Sequence, residues 1–83
     1  MEDLLEKMKD FMDMEYQSIS RTLKYRITKG RKIYIEDINA PLQRCLGVAQ
    51  FTQTLGVPFE KVNAIYEMNK ERFEQLNKYL TND

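Results

Sequence analysis

Cys45 is the only cysteine in the chain, and there is no histidine. A thiol becomes a nucleophile or metal ligand when a neighbouring base or cation draws off its proton, and near neutral pH that base is usually histidine. Cys45 instead sits among Leu42, Leu46, Val48 and Ala49. It reads as a small core residue. One cysteine without histidine cannot build a structural zinc site. It cannot close a disulfide within the chain either, which fits a reducing compartment. The adjacent carboxylates Glu36 and Asp37 are the nearest approach to an acid–base pair. They lead into a predicted helix, where negative charge is favoured. Gly30 and Gly56 belong to no phosphate-cradling motif. These residues predict a protein without catalytic, cofactor or metal sites.

The charge pattern is more informative. Thirteen bases balance thirteen acids, but the two signs are segregated. Residues 1–15 carry Glu2, Asp3, Glu6, Asp10, Asp13 and Glu15 against Lys7 and Lys9, whereas residues 16–35 carry Arg21, Lys24, Arg26, Lys29, Arg31 and Lys32 and no acid. Six bases with Tyr25 and Tyr34 among them could hold an acidic protein surface or a phosphate backbone. The same polarity complements a helix dipole, negative at the start and positive at the end. Arg31 and Lys32 lie beyond Gly30, outside the reach of that effect, and so distinguish the two readings.

The elements that would position these groups are legible from periodicity. Leu5, Met8, Met12, Tyr16, Ile19, Leu23 and Ile27 recur every three or four residues, predicting an amphipathic helix over 3–28 that stops at Gly30. Ile33 and Ile35 alternate with Lys32 and Tyr34, predicting a short extended connector over 31–38. Asn39 offers an N-cap and Pro41 a first-turn residue for a second, shorter helix over 40–55. Its apolar residues cover more than half its circumference, making it the most buried, and Gly47 is expected to admit a close neighbour. Gly56 and Pro58 then separate it from a third helix over 58–80, where Phe59, Val62, Tyr66, Asn69, Phe73, Leu76 and Leu80 form a heptad seam with one polar member. The expected fold is all-α: a compact three-helix bundle of two long helices and one shorter buried helix, one domain over 1–83.

Residues 51–65 resemble the helix-turn-helix motif of DNA-binding proteins. Phe51, Leu55, Val57, Val62 and Ile65 take the apolar positions around Gly56, and the resemblance covers about twenty residues. It implies that Lys61 and Asn63 would read DNA. Thr52 stands where that motif has a small residue, and Glu60 and Glu67 share the reading face, where phosphates would repel them.

A domain this small buries only about 60 to 65% of its unfolded surface, so a partner or second copy would help it. Phe11, Met14 and Tyr25 lie to one side of the main stripe of the first helix, with Leu4 and Ser18. Asn69 within the seam, beside Phe73, would fix the register of a self-associating helix or, in a monomer, bond to a neighbouring helix or lie at the core edge. The chain is therefore expected to be a small non-enzymatic regulatory or adaptor protein that binds an acidic protein surface, with possible homo-oligomers. DNA binding is the alternative. The acidic start and the lack of a long apolar run give the expectation of a cytoplasmic protein with no membrane partner.

Overall fold

The computed structural model describes residues 2–81; residues 1, 82 and 83 of the expected domain lie outside the described residues. Three helices make up the fold: α1 (Glu2–Thr28), α2 (Ile35–Thr54) and α3 (Phe59–Gln75), with a 3-10 turn over Leu76–Tyr79. There is no strand among the described residues, and every helix packs on the other two. The protein is an all-α three-helix bundle. Its extents of 44 × 19 × 15 Å follow from α1, whose 27 residues span about 40 Å at 1.5 Å per residue. Arg26 pairs with Asp37 and Glu15 with Arg44, so α2 descends where α1 rises. Asp13 with Arg72, and Ile33 with Thr81, set α3 parallel to α1.

Both predicted glycine stops hold for the same reason. Gly30 has φ +67° and Gly56 φ +105°, left-handed values at which a side chain would be strained. That conformation lets the next residue reach back: Arg31 N–H donates to the Arg26 carbonyl at 2.8 Å, and Val57 N–H to that of Thr52 at 3.4 Å. Together with Gly30 N–H to Ile27 and Gly56 N–H to Gln53, these are Schellman caps that satisfy the last carbonyls of α1 and α2.

Three boundaries differ from the sequence reading. The extended connector is only residues 31–34, and α2 begins at Ile35. Asn39 is not its N-cap. The Asp37 carboxylate accepts from Tyr34 N–H at 2.8 Å and from Arg26 at 2.6 Å, satisfying the helix start one turn earlier than Asn39 would. Pro41 is consequently a buried interior residue, and its missing N–H leaves the Asp37 carbonyl without a helical donor. α2, with 20 residues, is longer than α3, with 17. α3 tightens into its 3-10 turn at Leu76 instead of continuing to residue 80.

The core joins Met8, Met12, Ile19 and Leu23 of α1, Ile33 of the connector, Ile38, Leu42, Cys45 and Ala49 of α2, and Val57, Val62, Phe73 and Leu76. Phe73 at its centre is 0% exposed and meets the Tyr16 ring edge-on at 5.8 Å, a favoured aromatic geometry. Ile33 donates to the Thr81 hydroxyl at 2.8 Å and accepts from Thr81 N–H at 3.0 Å, clipping the chain end to the connector. Gly47, expected against a neighbour, faces outward with open space around it.

Candidate protein-binding site

The basic stretch gathers at one end of the bundle, where α1 stops, the connector turns and α2 starts. Arg21, Lys24, Lys29, Arg31 and Lys32 are exposed, and Arg26 is half-buried. The bases are not all uncompensated, as the sequence implied. Arg26 serves the cap of α2 through Asp37, and Lys29 Nζ stands 5.8 Å from the Tyr25 ring centroid. Four large apolar side chains are exposed at the same end: Tyr25, Ile27, Tyr34 and Ile35. Ile27 was expected in the core stripe, but it falls in the last turn of α1, where the bundle ends, and is about half exposed.

The rest of the expected interaction surface divides. Met14 is 70% exposed and Tyr25 is 55% exposed. Phe11, like Leu4, is partly buried against the core and so is not part of a free surface. Asn69 and Phe73 are corrected outright: at 3% and 0% exposure they lie inside the chain. The heptad seam of α3 is real, but its middle, Val62 to Leu76, is used up against α1 and α2, leaving no strip for a second copy.

The Asn69 amide lies beside the Cys45 thiol, yet neither its oxygen nor its nitrogen completes a hydrogen bond. Burial pushes the Cys45 thiol up, and the Asn69 side chain opposes that shift. A buried, protonated thiol is a poor nucleophile. Glu36 and Asp37 both line an open cleft of about 290 Å³ between α1 and α2, beside Glu15, Arg26 and Arg44; within it Asp37 is engaged by Arg26 and the Tyr34 N–H. Among the described residues, no group of three or more His, Cys, Asp or Glu side chains could hold a metal, and no helix is long and apolar enough to cross a membrane.

The α2–α3 junction has the punctuation of a helix-turn-helix without its geometry. Phe51 and Leu55, which that motif would bury, are 63% and 48% exposed. Helices of 20 and 17 residues span about 30 and 25 Å and cannot lie across a section of 19 × 15 Å. They run along the bundle as a hairpin. Lys61 is exposed, but Asn63 lies in the groove against Leu46, Ala49 and Gln50 of α2. The two do not form one reading surface.

No known family, curated protein or solved structure matches this chain.

One surface escaped the sequence reading. At the end opposite the basic one, Phe51, Leu55 and Phe59 are each about half exposed. The signal was present: from Cys45 to Phe59 there is no charged residue, in a chain that is 31% charged. Interfaces are depleted of charge at their centres and enriched in aromatics. Assigning Phe51 and Leu55 to a motif and Phe59 to a seam concealed it.

Proposed function

We propose that this protein is a non-enzymatic adaptor that binds an acidic protein surface through the end of the bundle formed by α1, the connector and α2. One observation carries the reading: the large exposed apolar side chains are not scattered but gather mainly at the two ends. Tyr25, Ile27, Tyr34 and Ile35 lie at the basic end, and Phe51, Leu55 and Phe59 at the uncharged one. Single exposed apolar residues are ordinary, but contiguous groups mark binding surfaces. At the basic end, Arg31 closes the α1 cap with its backbone N–H, while its side chain is exposed past the last helical turn, where the helix dipole has faded. It borders the apolar group, and aromatic anchors beside a cation suit an acidic protein partner. A free buried Cys45 supports placing it in a reducing compartment such as the cytoplasm.

The test is affinity capture from native cells with wild type and an Arg31→Glu/Tyr34→Ala variant as paired baits. Both positions are exposed, so circular dichroism should show unchanged helix content. A protein retained by wild type, lost by the variant and released by raised salt is the expected outcome, since exposed charges are screened over about 8 to 10 Å. Recovery of nucleic acid alone, or equal retention by both baits, would overturn the reading.

A further inference from the structure

α2 turns one line of residues inward and another outward. Ile38, Cys45 and Thr52, seven apart, are 2%, 0% and 5% exposed. Two residues further on, about 200° round the helix, Ala40, Gly47 and Thr54 form the opposite line, and all three are exposed. Gln43 and Gln50 flank that outward line on one side, Arg44 and Phe51 on the other, and these too are exposed. The outer face of a surface helix is ordinarily charged. In a chain that is 31% charged, this face carries one charge between Asn39 and Thr54. It is Arg44, already bound to Glu15 of its own chain.

Glycine in the interior of an exposed helix is destabilising relative to alanine, and neither usual reason for it holds at Gly47. Its φ is not left-handed, and a side chain there would meet nothing within 4 Å. The close neighbour that its position implies is absent from the chain itself. A glycine with alanine and threonine seven residues to either side lets two helix axes approach to about 8 Å, the near end of the packing range. Phe51 beside it is 63% exposed, and charge-poor centres with aromatic residues characterise interfaces.

We propose that two copies of the chain pair antiparallel through α2, about a dyad at Gly47. The flanks select a second copy as the occupant, because each holds both halves of its own contact at nearly equal distances from Gly47. A dyad brings like flanks together. Gln43 of one copy then meets Gln50 of the other, and a carboxamide both donates and accepts. On the other flank Arg44 meets Phe51, a cation–π pairing. Along the centre Gly47 faces Gly47, and Ala40 faces Thr54. Glu36, the other exposed charge of α2, falls opposite Pro58, past the end of the second α2. No like charges oppose each other in this register. A parallel pair would set Arg44 against Arg44, so the pattern selects the antiparallel one. The face is one helix wide, which belongs to the class of small, reversible interfaces.

This inference does not rest on the acidic-partner reading, whose contact lies at the end of the bundle and is released by salt. A pairing without charge should persist in raised salt. Sedimentation equilibrium there should show a monomer–dimer equilibrium, with dimer evident by about 1 mM. Gly47→Lys should weaken it at least about tenfold, because two ammonium groups meet at the dyad. Circular dichroism should show its helix content unchanged, since the position is open. Under oxidation Gly47→Cys should cross-link into a dimer, the dyad placing the two thiols within disulfide reach. Ala64→Cys, on the exposed side of α3, should not. A wild type that stays monomeric up to about 1 mM overturns the proposal, as do a Gly47→Lys variant that dimerises unchanged or equal cross-linking of the two cysteine variants.

Discussion

Asn69 is 3% exposed, and neither atom of its amide is hydrogen-bonded. The neighbouring thiol of Cys45 is at best a weak partner. Leaving a buried donor or acceptor unmade costs about 1 to 3 kcal/mol, more than a typical hydrogen bond contributes. Asn69→Leu replaces the amide with an apolar group of the same branching but distinctly larger volume, so part of the gain is lost to tighter packing. It is expected to stabilise the fold by about 1 kcal/mol, read as a rise in urea midpoint without a change in slope. Loss of stability would mean that the amide is satisfied in solution by water. The sequence showed that Asn69 interrupts a heptad, but not against what. A polar seam residue looks the same in the string whether its seam meets another molecule or another helix of its own chain. The same ambiguity explains Phe73, correctly read as a seam residue and placed on the wrong side of the surface.

At the scale of elements, the sequence was most readable where a single residue type is required by the backbone. Gly30 and Gly56 hold left-handed conformations and ended α1 and α2 as expected. The start of α2 was misread because two competing signals lie close together. Asn39 and Pro41 form a good local start, yet Asp37 forms a better one by closing on Tyr34 N–H and binding Arg26 across the helices. The second half of that advantage is tertiary and invisible in a local window. It also gives Asp37 two roles at once, as cap and as ion-pair partner. Removing an N-terminal cap costs about 1 kcal/mol, and a partly exposed ion pair adds up to about another 1. Asp37→Ala is therefore expected to lose about 1 to 2 kcal/mol of unfolding free energy, and Arg26→Ala less than half of that. If the two variants cost the same, the ion pair rather than the cap would be holding the start of α2. The double variant should cost less than the sum, because both substitutions remove the shared contact.

At the scale of the whole molecule, the three-helix bundle was legible because its apolar periodicities are long, but the placement of its exposed surfaces was not. Exposure at Ile27, Phe51 and Phe59 depends on where the bundle ends, which no single helix encodes. The two apolar groups stand at opposite ends of a 44 Å rod, with different chemistry around each. Surfaces so far apart, sharing no side chains, should act as separate modules. Arg31→Glu/Tyr34→Ala at one end and Phe51→Gln/Leu55→Gln at the other are each expected to change stability by less than about 1 kcal/mol, because all four side chains are exposed. Combined, their effects should add to within about 0.5 kcal/mol. In the capture experiment the first pair should remove partners held by charge, and the second should remove those that survive high salt. A quadruple variant whose destabilisation departs from the sum by more than about 1 kcal/mol would show that the ends communicate through the core. So would loss of both partner classes from either pair alone, and the two-ended adaptor would then reduce to one continuous binding surface.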